Sequence, residues 1–286
     1  MNAPTRPSEP ALPRRFASVL AAAALCAAAF APPLAAQGYR PAYPPQRPAG
    51  ATTAGAPAPV LRACFLLADL GGSELRRQPA TGCDRRVAPA ATFEIPAALA
   101  ALDASVVRSN DSSFGGQTVD RALAYSSPEY FRDVDHQMGS VRMGEYLNRY
   151  GFGNADTRSG GEYWNGGSLQ ISPNEQMRFL QRFFAGELPV SRQAALSVRA
   201  GLEQPMGLLT SPSGAVLTGQ MRSGVPNLSK GGAIAAGNEA VRWQIGLITR
   251  GTRNYVFVSC VTGPLSLPEG AAAVLATKEL RDAGIL

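Results

Sequence analysis

Apolar residues follow one period at the two ends of the folded region and another in its middle. Residues 60–70 alternate weakly between apolar and polar and end at a Gly-Gly pair, which predicts a strand, with residues 73–79 returning beside it. The same strand-like pattern comes back after Gly214. It predicts three strands, followed by a closing helix over residues 268–280; the strands are expected at 215–220, 241–249 and 255–261.

The middle of the chain has helical spacing instead. Residues 91–102 are almost wholly apolar, which predicts a helix that is buried on all sides. Further helices are expected over residues 137–149, after Ser172-Pro173, and over residues 191–203. Strands at both ends and helices between them predict one antiparallel sheet built from both chain ends, flanked by helices. The expected fold class is therefore α+β, an α/β/α sandwich.

The first 36 residues have the pattern of a secretory signal peptide. Arg14-Arg15 precede an apolar run over residues 16–30, and small residues end at Ala36. The run is short and alanine-rich for a membrane span, so none is expected after cleavage. Residues 37–59 are rich in Pro, Ala and Gly and predict a linker, which leaves residues 60–286 as one domain. The expected location is the periplasm or outside the cell.

Charge and cysteine content narrow the classes of function. The net charge of +6 falls to +4 once residues 1–36 are removed, and it is dispersed, so we expect no nucleic-acid partner. Three of the four cysteines lie after the signal segment. If residues 60–70 and the polar return from Ser73 to Cys83 form a hairpin, Cys64 and Cys83 face each other near its open end. This predicts a disulfide between them and a buried free thiol at Cys260. Three unpaired core cysteines are the alternative.

The run P-A-A-T-F-E-I-P at residues 89–96 carries the most information about function. It resembles the P-A-S-T-F-K-I-P run that begins the catalytic helix of class D (oxacillinase-type) serine β-lactamases. In that family the Ser is acylated and the Lys, usually carboxylated, is the base. Here those positions are Ala91 and Glu94. The resemblance implies the family's fold without its nucleophile and base.

Motifs further along the chain extend the resemblance over most of residues 60–286. The family's Y-G-N motif resembles Phe152-Gly153-Asn154, and its F-W motif resembles Tyr163-Trp164. Its S-x-V motif corresponds to residues 126–128, where Ser126 keeps the hydroxyl that relays a proton in active members. These correspondences imply that Phe152, Asn154 and Trp164 lie at a binding cleft.

Two further correspondences imply an altered substrate site. The resemblance places the family's K-T-G, on the strand that borders the cleft, at Gln220-Met221-Arg222. Gln220 is neutral, Met221 is bulky, and Arg222 offers a displaced positive charge on the same face of the strand. The family's substrate-binding Arg after a Leu-Pro pair is replaced, since Glu269 follows that pair here.

The resemblance leaves several functions open. We expect a catalytically inactive protein that binds a peptidoglycan peptide, a β-lactam-like ligand or a protein partner. An active β-lactam, amide or ester hydrolase that uses Ser126 is the alternative, and a structural relic is a third. Glu94 would either replace the negative charge of the carboxylated Lys near Trp164 or turn towards solvent or a basic neighbour. The single histidine, His136, is expected on the surface, and no metal or cofactor is expected.

Overall fold

Both ends of the folded region contribute to one antiparallel sheet, as predicted. The computed structural model describes residues 59–109, 114, 116–203 and 227–286. Within them the strand order is β2-β1-β5-β4-β3, so β3 is an edge strand and β1 pairs with β5 across the centre. The strands are β1 (Arg62–Asp69), β2 (Glu74–Gln78), β3 (Asn227–Ala236), β4 (Glu239–Arg250) and β5 (Arg253–Pro264).

Helices cover both faces of this sheet, which confirms the predicted three-layer α+β fold. In β1, Phe65 and Leu67 point to one face, where they pack with Leu280 of the last helix. Leu66 points to the other face and joins the larger core that contains the remaining helices. The helices are α1 (Glu94–Asp103), α2 (Val119–Tyr125), α3 (Pro128–Met138), α4 (Ser140–Tyr150), α5 (Pro173–Ala185), α6 (Arg192–Gly201) and α7 (Ala271–Asp282).

One predicted helix is wrong in its extent. The sequence predicted one helix over residues 137–149, but α3 ends at Met138 and α4 begins at Ser140. Gly139 between them has a φ of 74°, a backbone conformation outside the helical region that glycine adopts readily. The sequence indicated a polar helical stretch around His136 but did not predict α3 as a separate helix. Pro128 lies in the first turn of α3. Proline is favourable there, because the first N–H groups of a helix have no acceptor within the helix, so the N–H that proline lacks is not missed.

The edge strand β3 was also missed. The strand predicted at residues 215–220 lies outside the described residues. β3 instead contains Gly231 and Gly232 and several alanines, residues that are depleted in strands and so weaken the sequence signal. By contrast, the start predicted at Ser172-Pro173 is confirmed. Ser172 and Glu175 form a reciprocal capping box at the beginning of α5.

The predicted disulfide is confirmed. Cys64 and Cys83 are bonded, with their Cα atoms 5.6 Å apart. Cys260 is a buried free thiol, as expected, and it lies directly opposite Cys64 in the register of β1 and β5. Burial raises the pKa of the Cys260 thiol, so the thiol is kept protonated. In the part of the chain described, we find no helix with the length and apolar character needed to cross a membrane.

Candidate active-site cleft

A cavity of about 230 Å³ opens where α1 begins, next to the edge strand β3. The 3-10 turn Ala90–Phe93, the connection between α2 and α3, and the loop after Tyr163 complete its wall. This is the region where the sequence placed the candidate catalytic residues. The lining residues are Ala91, Glu94, Ser126, Pro128, Phe131, Glu162, Trp164, Asn165, Ala233, Ile234 and Glu269.

The 3-10 turn presents Ala91 to the cavity. Ala90 has a φ of 51°, and its backbone N–H donates to the carbonyl of Trp164 at 3.1 Å. The strand β3 approaches this turn closely at Gly232, where a Cβ atom would lie 3.3 Å from the backbone nitrogen of Ala91. A methyl group therefore lies at the position where the resemblance expects a nucleophilic hydroxyl.

Glu94 lies one helical turn further on and points into the protein. Its carboxylate accepts from Lys230 of β3, with Nζ 2.6 Å from Oε2. The same oxygen accepts from the Ser126 hydroxyl at 3.3 Å. The Glu94 and Lys230 side chains are only 6% and 5% exposed. The carboxylate of Glu94 thus faces a buried basic neighbour, rather than solvent.

Lys230 is the residue that sequence reasoning missed. An ammonium group has three N–H donors, and each has an acceptor here: Glu94, the Ser126 hydroxyl at 2.7 Å and the Leu123 carbonyl at 2.5 Å. Lys230-Gly231-Gly232 is a lysine-glycine signal that could have identified the lysine on the cleft strand. Gln220, Met221 and Arg222, where the resemblance placed that strand motif, lie outside the described residues.

Opposing effects act on the carboxyl group of Glu94. Burial raises its pKa, because the charged form loses its hydration. The Lys230 ammonium and the hydrogen bond from Ser126 offset part of that rise. The pair is therefore an isolated buried ion pair in which the position of each charge is fixed by the other.

Ser126 ends α2 in the left-handed conformation, with φ 48° and ψ 62°. This conformation is uncommon for a residue other than glycine, and it turns the chain so that the hydroxyl faces Lys230. A serine becomes nucleophilic when a neighbouring base takes its proton. Here the amine next to it is ion-paired as an ammonium, which has no lone pair to accept that proton.

Aromatic residues form another part of the cavity wall. The Trp164 ring stacks on Phe93 at 4.6 Å and lines the cavity, as the resemblance implied. Beside it, Glu162 accepts from Arg132 at 3.0 Å and from the amide of Asn165 at 2.6 Å. This wall combines an apolar surface with a carboxylate at its edge.

The loop that carries Glu269 is fixed by a buried arginine. Arg242 of β4 donates to the backbone carbonyls of Ile234, Leu267 and Pro268, at 2.9, 2.9 and 3.2 Å. These bonds hold the loop against β3. The Arg242 guanidinium is therefore used to bind backbone oxygens, and the exposed residue that the loop brings to the cavity is the acid Glu269.

Two of the predicted site residues, Phe152 and Asn154, lie away from the cleft wall. Phe152 is fully buried and packs edge-on against Phe179. The Asn154 side chain donates to the Ser168 carbonyl at 2.8 Å and accepts from the Gln170 N–H at 2.9 Å, so it ties two loop segments together. His136 is exposed on α3, as expected. Phe152 and Asn154 support the loop before Trp164, and neither is among the residues that line the cavity.

Comparison with known families identifies the fold and its lineage. The penicillin binding protein transpeptidase domain family matches residues 39–278 of this chain. The chain belongs to that family. The regulatory protein BlaR1 of Bacillus licheniformis is 29% identical over 213 residues, which cover 70% of this chain and 33% of BlaR1. The β-lactamase OXA-5 of Pseudomonas aeruginosa is 28% identical over 186 residues, 59% of this chain and 64% of OXA-5.

Solved structures of other proteins have this fold. The C-terminal domain of the Bacillus licheniformis BlaR penicillin-receptor superimposes with a TM-score of 0.65 at 23% identity, covering 79% of this chain and 92% of that domain. The class D β-lactamase YbXI from Nostoc gives a TM-score of 0.64 at 21% identity, covering 79% and 95%. The chain spans a third of BlaR1 and less than two thirds of OXA-5.

Proposed function

We propose that this protein is a non-acylating member of the transpeptidase family that binds a ligand in the cleft. The observation that carries the proposal is the substitution of both reacting groups within an intact cavity. Ala91 offers a methyl group, and Glu94 ties up the nearby lysine as an ammonium. Because a nucleophile and its base act as a unit, loss of both removes most of the rate.

The names of relatives support binding as the retained activity. BlaR1 is described as a regulatory protein, and its C-terminal domain is described as a penicillin-receptor. A receptor needs recognition of a ligand and does not need turnover. The family fold therefore supports ligand recognition in proteins whose described role is regulatory, and we extend that role to this chain.

A peptidoglycan peptide is our proposed ligand class. Among the described strands β3 is at the edge of the sheet; its beginning pairs with residues 202–203, and further along it Ala233 and Ile234 line the cavity. An extended peptide can add to such an edge through main-chain hydrogen bonds, while its side chains enter the neighbouring pocket. Trp164 supplies an apolar wall for that pocket. A β-lactam-like ligand or a protein segment in the same extended conformation would use the same edge.

A hydrolase that uses Ser126 is the second candidate. The observation in its favour is the contact between the Ser126 hydroxyl and Lys230 at 2.7 Å, at a cavity-lining position. Turnover would require Glu94 to release Lys230, so that a neutral amine could take the proton of Ser126. The ion pair in the cleft opposes this step.

Intact mass spectrometry after incubation with benzylpenicillin distinguishes the two candidates. We expect the masses of both the mature protein and the drug to be unchanged, while an active class D β-lactamase run alongside converts the drug to a product heavier by one water. Conversion of the drug that is lost in Ser126→Ala would favour the hydrolase. An adduct of one drug mass that disappears in Ser126→Ala would overturn the non-acylating proposal and assign the nucleophile. Thermal shift with a cell-wall pentapeptide then tests binding, for which we expect a rise in melting temperature.

We also propose that the protein is exported. The signal-like pattern of residues 1–36 supports this, and so does the Cys64–Cys83 disulfide, since such bonds persist in oxidising compartments. Cell fractionation of the full-length protein and N-terminal sequencing test it. We expect a periplasmic or secreted product that begins at Gln37. An intact Met1 terminus in the cytoplasmic fraction would contradict export.

A further inference from the structure

We propose that Glu94 is an internal carboxylate that occupies the anion position at Lys230, so that the cleft selects ligands without a carboxylate at this point. The inference rests on the proposed binding function of the same cleft. It assigns Glu94 the role of a specificity-determining residue, in place of the base that the family sequence would have there.

The first step is that all three N–H donors of the Lys230 ammonium already have acceptors. The three acceptors around the Lys230 ammonium are Glu94, Ser126 and Leu123, and Glu94 is the charged one. A charge-assisted hydrogen bond of this kind is among the stronger polar contacts in proteins. A ligand carboxylate would have to displace the Glu94 carboxylate, which is covalently attached and already in place.

The second step is the charge of the rest of the wall. The other ionisable residues in the described lining are Glu162 and Glu269, both acids. The nearby guanidinium groups are already engaged, because Arg132 pairs with Glu162 and Arg242 donates to four backbone carbonyls. Lys230 does not line the cavity itself, but it contacts two residues that do, Glu94 and Ser126. Among the described residues it is the cation nearest to an anionic ligand at this point, and the Glu94 carboxylate neutralises it.

The third step is what removal of Glu94 would create. Glu94→Ala would leave a space the size of a small carboxylate, bordered by the Lys230 ammonium and the Ser126 hydroxyl. Two donors would then face an empty anion position, and unpaired buried donors favour any ligand that satisfies them. An added carboxylate should enter the space that the side chain has left.

The experiment is chemical rescue of Glu94→Ala by sodium acetate, followed through the melting temperature. Sodium chloride at equal ionic strength is the control for salt. We expect acetate to raise the melting temperature of Glu94→Ala by about 2 °C or more above chloride. Wild type should show no difference between the two salts. Glu187→Ala, which removes an exposed acid after α5, is the matched control and should also show none.

A second variant identifies the group responsible. Adding Lys230→Met to Glu94→Ala removes the cation, and the difference between acetate and chloride should disappear. Equal shifts with the two salts in Glu94→Ala would overturn the inference. Persistence of the acetate effect in the double variant would also overturn it, because the anion would then bind elsewhere.

A measurement on the wild-type protein tests the same inference if Glu94→Ala does not fold. Benzylpenicillin and its methyl ester differ by one carboxylate, so their dissociation constants compare a charged and an uncharged ligand directly. We expect wild type to bind the ester at least as tightly as the acid. Binding of the acid about tenfold more tightly than the ester would overturn the inference.

The two proposals fail in different ways. If wild type binds neither compound nor the pentapeptide, while Glu94→Ala responds to acetate, the masking of Lys230 stands and the proposed ligand class is wrong. If the pentapeptide binds and acetate has no specific effect, the binding function stands and the role of Glu94 is wrong.

Discussion

Each face of the sheet carries a buried glutamate paired with a cation, and the two pairs have different surroundings. In the cleft, Glu94 and Lys230 are 6% and 5% exposed and lie 2.6 Å apart. On the α7 face, Glu279 is 7% exposed, but its partner Arg76 is 29% exposed at the same distance. The second pair reaches water through its arginine, and the first pair does not.

The two pairs also differ in the number of charged neighbours: the pair on the α7 face has several, and the pair in the cleft has none among the contacts described. Glu279 also contacts Lys278, which in turn pairs with Asp282. On the α7 face, the Glu279 carboxylate therefore keeps a cationic neighbour if Arg76 is removed. In the cleft, a single acid and a single base face each other with a serine hydroxyl and a backbone carbonyl. An exposed network tolerates the loss of a member, whereas an isolated buried pair leaves an uncompensated charge. The comparison predicts different responses to mutation.

The largest effect is expected for Lys230→Met. The variant leaves the Glu94 carboxylate buried without its cation, and loss of one partner of a buried pair typically costs about 3–5 kcal/mol of unfolding free energy. Urea denaturation at neutral pH measures it. Arg76→Met is the matched control on the other face, for which we expect a loss of about 1 kcal/mol or less. Equal losses in the two variants would show that burial does not distinguish the pairs.

A smaller effect is expected when the pH is lowered: Glu94 and Glu175 should change the unfolding free energy in opposite directions. Burial raises the pKa of Glu94 above its unfolded value, so its protonation favours the folded state at low pH, and this contribution is lost as pH rises through the folded pKa. The Arg86 guanidinium lowers the pKa of Glu175 to about 2. The contribution of Glu175 is therefore present above its unfolded pKa and is lost as pH falls towards 2.

Urea midpoints measured between about pH 7 and pH 3 test these signs. As the pH falls, wild type should gain stability relative to Glu94→Gln and lose stability relative to Glu175→Gln. Two curves with the same slope would mean that the Lys230 ammonium outweighs burial at Glu94.

The antiparallel sheet and the three cleft residues Ala91, Glu94 and Ser126 could be predicted from the sequence. The strand β3, which carries Lys230, could not. The strands at residues 241–249 and 255–261 were recognised because they are rich in apolar and β-branched residues. Ala91, Glu94 and Ser126 were placed together by their motifs. β3 was missed because Gly231 and Gly232 interrupt the alternation of apolar and polar residues that is typical of a strand. Gly232 nevertheless has a structural role, since the absence of a side chain lets the strand approach Ala91 closely.

The contact between Glu94 and Lys230 is of a kind that local patterns cannot predict. The two residues lie on α1 and β3, elements that are distant in the chain and meet only through the packing of the sheet against the 3-10 turn. The motif placed the Glu94 carboxylate in the cleft, but it did not identify the group that this carboxylate contacts. The choice among solvent, Trp164 and a basic neighbour depended on the fold, which brings a lysine to the buried side.

The smallest effect is expected for the double variant Glu94→Leu with Lys230→Met. Apolar side chains of similar size remove both charges together, and such replacements are often neutral or stabilising. We expect the unfolding free energy to lie within about 1 kcal/mol of wild type, or above it, despite the large loss in Lys230→Met alone. Urea denaturation of the two single variants and the double variant completes the cycle. A double variant as unstable as Lys230→Met would mean that the pair supports the fold. A near-wild-type value would mean that the fold does not need the pair, and that the role of Glu94 is to neutralise Lys230 in the cleft.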